Sequence, residues 1–248
     1  MYRTKMLAWG LTFVLVALAQ SSQSFASVFG PMTPYLSFAD SPFASQSFSW
    51  FYLEDFEDGL FNTPGVTVDD GLVSTPGFFS NDSVDADDGT IDGNGQQGNN
   101  MYNLQGADFV NDFTFTFDAN VLGSLPTRAG IVWTDGTPGG LVTFEAFDEN
   151  NNSLGTVSAN LGDGSFFGST AEDGFFGASN PGGISKIFIT DNGTAGDVDI
   201  DHLQYGLQSG SVPEPLSLFV WGGLFLVGTS VSLLRSGTSL LRSGTRGG

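Results

Sequence analysis

Phenylalanine and threonine alternate in "FTFTF" at residues 113–117. Strict alternation puts the two residue types on opposite faces of a strand, so this segment predicts a strand buried on one face. "AGIVW" (129–133) and "LVTFEAF" (141–147) predict the next two strands, joined by a glycine turn around "DGTPGG". "FDENNNSLGTVSA" predicts a strand, an Asn-rich turn and a returning strand over 154–159. "DGFFGAS" and "GISKIFIT" (183–190) add two more, and "DVDIDHLQYG" (197–206) closes the series. No amphipathic helical pattern runs longer than two turns. Short strands separated by glycine turns predict an all-β domain, an antiparallel two-sheet sandwich over residues 50–207.

The flanks follow other patterns. Residues 1–26 place Arg3 and Lys5 before an apolar stretch and end in Ser24-Phe25-Ala26, with small residues at the two positions a signal peptidase reads. This predicts a secretory signal helix, cut after Ala26, and export from the cytoplasm. Residues 27–49, rich in Ser, Phe, Pro and Ala, have no clean period. They predict an extended arm with at most one short strand, or a segment whose phenylalanines pack on the domain.

Near the other end, a linker over 208–215 carries Pro213-Glu214-Pro215, and residues 216–234 form a run of 19 with no charge. At 1.5 Å per residue such a helix just crosses a hydrocarbon core of about 30 Å. Gly222, Gly223 and Gly228 argue against a core helix, and Trp221 sits a little inside one end, where an indole approaches the interface. Arg235, Arg242 and Arg246 lie in the tail, 235–248, and by the positive-inside rule keep it cytoplasmic with the body outside. "LLRSGT" occurs twice there, at 233–238 and 240–245, which spreads the arginines apart.

A Pro-Glu-Pro motif, an apolar span and terminal arginines, behind an N-terminal signal peptide, resemble the PEP-CTERM sorting signal of exported bacterial proteins. The resemblance covers roughly the last 35 residues. It implies recognition of Pro213, Glu214 and Pro215 by an exosortase, a membrane transpeptidase. It further implies cleavage near that motif and delivery from the inner membrane to the cell surface or exopolysaccharide matrix. Two prolines also hold the backbone extended just before the membrane, a form that a protease can grip. The family places a tight arginine cluster directly after the span, whereas only Arg235 stands there in this chain.

Charge and composition narrow the chemistry. Only two of the seven basic residues, Arg128 and Lys186, lie between residues 27 and 211, against all but one of the 27 acidic ones. Such a body repels nucleic acid and anionic lipid and attracts cations. The absence of cysteine excludes disulfides, thiol catalysis and thiolate metal sites. His202 is the only histidine, with no sequence signal for a base–nucleophile pair, so the chain reads as non-enzymatic and His202 as a strand residue at a bulge or an edge.

The order of landmarks resembles carbohydrate-binding-module-like jelly rolls, with Phe56-Glu57 ending an early strand and Ile200-Asp201-His202-Leu203 in the last one. That resemblance implies a structural calcium between first and last strands, held by Glu57 and Asp201, with Asp199 or Asp58 as additions. A second calcium candidate is the acidic loop "DSVDADDGTIDGNGQQGN", in which Asp82, Asp85, Asp87, Asp88 and Asp92 crowd together. It is not an EF-hand, because Asp85, Asp87 and Gly89 miss that spacing by one residue. Polysaccharide is a candidate partner, with Tyr102, Trp133, Phe166, Phe167, Phe175 and Phe176 as stacking surfaces or, alternatively, as sandwich core. The sequence therefore predicts an exported, sorted, calcium-stabilised surface or matrix protein. The alternative is a permanently membrane-anchored, lectin-like carbohydrate-binding protein.

Overall fold

A computed structural model describes residues 25–75, 82–104, 111–163, 165, 168–192 and 197–210. Among them run twelve strands: β1 (Ser27–Met32), β2 (Phe48–Glu54), β3 (Val66–Val68), β4 (Leu72–Ser74), β5 (Asn100–Leu104), β6 (Asn111–Phe117), β7 (Arg128–Asp135), β8 (Leu141–Phe147), β9 (Ser153–Asn160), β10 (Gly174–Ser179), β11 (Lys186–Asp191) and β12 (Asp197–Gln208). Helix among the described residues is limited to short turns at Phe38–Asp40, Asp85–Asp88 and Ala119–Leu122.

All pairings are antiparallel and they form two sheets. The smaller has the order β3-β6-β11-β8-β9. The larger has the order β1-β10-β7-β12-β5-β4, and β2 also pairs with β12. From β6 onward the chain crosses repeatedly between sheets, with β8–β9 as the one hairpin that stays in its own sheet. This is the β-sandwich that the alternating pattern predicts. The expected signal helix and membrane helix fall on residues 1–24 and 211–248, outside the described residues, as do Pro213, Glu214, Pro215, Trp221, Arg235, Arg242 and Arg246. No helix among the described residues is long and apolar enough to cross a membrane.

The core forms where inward positions of the two sheets meet. Phe113, Phe115 and Phe117 of β6, Ile187 and Ile189 of β11, and Val142, Phe144 and Ala146 of β8 come from the small sheet. Ile131 and Trp133 of β7, Phe176 of β10, and Val198 and Ile200 of β12 face them from the large one. Burying a large apolar side chain contributes about 1.5–3 kcal/mol, so this layer holds the sheets together. β8 and β11 alternate buried and half-buried residues, as strands with one wet face should.

β7 and β10 are buried on both faces, because the outer face of the large sheet is covered as well. There Tyr35, Phe43, Val84, Val132 and Phe175 form a second cluster. Phe175 stacks on Tyr35 with ring centroids 5.9 Å apart and lies over Gly130, where a Cβ would come within 2.6 Å of Phe176 O. This corrects the expectation of a separate arm over 27–49. β1 pairs with β10, and Tyr35 and Phe43 are fully buried, because the outer face of the sheet is itself apolar and needs a cover. The phenylalanines of this segment pack on the domain.

Candidate functional site

Alternation along β12 sends Val198 and Ile200 into the core, and hence Asp199 and Asp201 to the covered outer face. Two bulges adjust the aim. β7 gains one residue between the pairs Asp199–Asp135 and Ile200–Trp133, and β12 gains one between Asp201–Val132 and Gln204–Gly130. The second bulge contains His202, whose φ of 44° lies in the left-handed region. Of the two positions expected for His202, a bulge or an edge, the bulge is the observed one.

The loop over residues 82–99 closes on this face. Val84 N–H donates to Asp201 Oδ2 (2.9 Å), and His202 N–H donates to Asp201 Oδ1 (2.6 Å). His202 Nε2 lies 3.0 Å from Asp87 Oδ1, and its Nδ1 lies 2.9 Å from Tyr35 Oη. Tyr35 Oη accepts from Gln204 Nε2 (2.9 Å), and Gln204 Oε1 accepts from Ser41 Oγ. A phenol has one proton, and with Gln204 donating to its oxygen that proton goes to Nδ1. The imidazole proton then sits on Nε2 and donates to Asp87. The result is a buried, one-directional chain: Ser41, Gln204, Tyr35, His202, Asp87. Burial, then the charge of Asp201, pushes the Tyr35 hydroxyl well up, so it stays protonated. Burial and then Asp87 likewise push Asp201 up.

The ligands expected from the sequence are partly brought together. Asp87, Asp201 and His202 each offer a donor atom within 4.8 Å of the others. Calcium fits this trio poorly. It takes oxygen ligands, whereas the imidazole is a nitrogen donor already joined to Asp87, and both Asp201 oxygens accept N–H groups. Glu57 turns its carboxylate to Asn99 N–H, and its pKa is pushed up to about 7 by desolvation, with Asp87 adding to it against the Asn99 hydrogen bond. Asp199 is buried at the pair with Asp135. Asp85 takes a structural part: its carboxylate accepts the N–H groups of Asp92, Gly93 and Asn94 and the Thr170 hydroxyl. Asp92 and Asp58 are exposed, and Asp58 caps Leu60 N–H and Asn62.

Of the aromatic residues weighed as stacking surfaces or as sandwich core, Trp133, Phe175 and Phe176 are fully buried and belong to the packing, the second of the two readings. Tyr102 is half-buried, and Phe166 and Phe167 lie outside the described residues.

A second group of acids emerges beside the first. Asp82 and Asp173 are fully buried, and none of their four carboxylate oxygens has a hydrogen-bond partner among the described residues. Burial, followed by the charges of Asp173, Asp135, Asp199 and Glu172, pushes Asp82 up to about 11. Asp173 is raised too, first by burial and then by Glu172. Sequence reasoning missed Asp173, Asn100, Tyr35 and Gln204. "EDGFFGAS" reads as the opening of a strand, and nothing local marks its acid as buried under a distant loop.

No protein-family model matches the chain, and no curated protein matches it significantly. Three solved structures are similar in outline. The K2 cleaved adhesin domain of Lys-gingipain is 12% identical, with a TM-score of 0.40, over 64% of this chain and 100% of that one. The enzymatically active domain of bacteriophage CBA120 tailspike protein 4 is 16% identical, with a TM-score of 0.34, over 62% of this chain and 20% of that one. TmCBM61, solved in complex with β-1,4-galactotriose, is 18% identical, with a TM-score of 0.33, over 63% of this chain and 95% of that one. The class of this protein, a two-sheet antiparallel β-sandwich with a covered acidic outer face, rests on its own strand pairing and burial.

Proposed function

We propose that this is an exported, non-enzymatic protein of the bacterial cell surface or exopolysaccharide matrix, delivered through a PEP-CTERM-type signal by an exosortase-type enzyme. The observation that carries the reading is the C-terminal order of Pro213-Glu214-Pro215, an uncharged span over 216–234 and Arg235, behind an N-terminal signal sequence. The strand boundaries support it. β1 opens at Ser27, directly after the expected cut at Ala26, and β12 ends at Gln208, ahead of Pro213. Removing both ends would therefore leave every described strand in place. In this reading the span anchors the precursor in the inner membrane only until cleavage. The acidic body would meet an anionic polysaccharide through bridging cations, since direct contact is repulsive.

The test replaces Pro213-Glu214-Pro215 with three alanines in the full chain, expressed in a bacterium that carries such a sorting enzyme. The unaltered protein is expected in the surface or matrix fraction without its arginine tail, by mass spectrometry of the C-terminus. The variant is expected in the membrane fraction with Arg235, Arg242 and Arg246 retained. Surface material of the unaltered protein bearing the intact tail overturns the reading.

A further inference from the structure

We propose that Asp82 and Asp173, together with the side-chain oxygen of Asn100, form an all-oxygen site for one calcium ion, separate from the Asp87–Asp201–His202 trio. This inference is independent of how the chain is sorted. Three elements converge there. Thr134 of β7 donates its hydroxyl to Asp82 O at 2.6 Å, and Asn100 of β5 donates its Nδ2 to the same oxygen at 2.9 Å. β10 and β7 pair Gly174 with Trp133, so one step further Asp173 stands across from Thr134. Asp82 and Asp173 therefore come to the same end of the large sheet, near enough that the charge of Asp173 is the first of those acting on Asp82.

What they present is a set of unmet acceptors. Both oxygens of Asp82, both of Asp173 and the Oδ1 of Asn100 are buried and unpartnered among the described residues, and all three residues are fully buried. The Asn100 amide is informative because it is neutral and its nitrogen is engaged by Asp82 O, which fixes its oxygen as the unmet acceptor. Glu172 Oε1, also buried and unpartnered, adds charge to the same region. Such groups are costly unless something positive meets them.

Among the described residues no lysine or arginine supplies such a charge. Arg128 and Lys186 are the only lysine or arginine among the described residues. Arg128 is held by Gln46, Thr127 O and Gln208, and Lys186 by Asn151 over the ring of Phe147. Loop closure is also tight: a Cβ on Gly95 would overlap Ser83 O and come within 3.1 Å of Asp82 Oδ1. Chemistry selects the ion. A set of carboxylate and amide oxygens without sulfur or imidazole suits a hard cation. Calcium takes six to eight oxygens in irregular geometry, whereas magnesium demands a strict octahedron and keeps its waters.

The experiment uses the full chain in detergent, stripped with chelator and titrated with calcium chloride by calorimetry, with melting followed in parallel. The unaltered protein is expected to bind calcium and to melt at least 10 °C higher with it. The double variant Asp82→Asn, Asp173→Asn is expected to lose at least 100-fold in affinity at this site. Without calcium it should melt no lower than the stripped unaltered protein, because the asparagines replace two buried, unpartnered carboxyls whose ionisation burial opposes. Asp87→Asn is expected to keep the binding. Should the double variant not fold, Asn100→Ala serves instead, with affinity expected to fall about tenfold. Absence of any calcium-dependent change in the unaltered protein overturns the proposal. So does binding that survives loss of these groups, or that disappears in Asp87→Asn alone.

Discussion

Tyr35 Oη and His202 Nδ1 lie 2.9 Å apart although 167 residues separate them in sequence. The contact ties the segment after β1 to the bulge in β12, and its partners on either side, Gln204 and Asp87, make the tie part of a buried polar chain. Each member has one direction of donation open to it, so removing one leaves its neighbours unmet in a largely buried site.

Tyr35→Phe tests that chain. The ring remains to stack on Phe175, while Gln204 Nε2 and His202 Nδ1 each lose a partner. Loss of a buried hydrogen-bond partner costs about 1–3 kcal/mol. Urea denaturation of the variant is expected to show a loss in that range with an unchanged m-value. A loss under half a kcal/mol would mean that the polar chain does not stabilise the fold.

His202 also carries backbone strain, since its φ is 44°. A left-handed residue other than glycine costs roughly 1–2 kcal/mol, and glycine avoids that cost. His202→Ala and His202→Gly lose the same ring contacts, so their difference isolates the strain. The glycine variant is expected to be the more stable of the two in parallel melts. The reverse order would mean that the bulge relaxes when the ring is lost.

Phe43→Ala asks whether the N-terminal segment belongs to the domain. Phe43 is buried and meets Phe175 edge-on, with centroids 5.3 Å apart. Truncating a buried phenylalanine costs about 3–5 kcal/mol. A loosely attached arm would instead give a change within about 0.5 kcal/mol, the ordinary size of a surface substitution. Denaturant midpoints separate the two outcomes cleanly.

The difficulty that Phe43 posed for sequence reading is instructive. Strands β6 to β12 are visible along the chain because each is long enough to show alternation or a continuous apolar run. β3 and β4 have three residues each, too few to show a period, and β1 contains Gly30 and Pro31 in its middle. In β12, "DVDID" shows directly that the acids and the aliphatic residues occupy opposite faces. What alternation cannot show is the cover. A strand with polar residues on one face reads as half-exposed, and only the long-range return of residues 33–47 and 82–99 makes Asp199 and Asp201 buried. The same holds for Asp173, 91 residues from Asp82 in sequence and brought near it by the pairing of β7 with β10.

Glu57→Gln probes through pH the electrostatics at the edge of this site, where the largely exposed Glu57 meets Asn99 N–H. In the folded chain Glu57 holds its proton up to about pH 7, raised mainly by desolvation from an ordinary value of 4.5. Between those values the folded state binds more protons than the unfolded state, so Glu57 makes stability fall as pH rises through the window. Glutamine removes that titration. With chelator present, the melting temperature of the variant is expected to gain on that of the unaltered protein between pH 4.5 and 7, and to hold a constant gap above it. Parallel profiles across the whole window would show that the Glu57 carboxylate is solvated and titrates as it does in the unfolded chain.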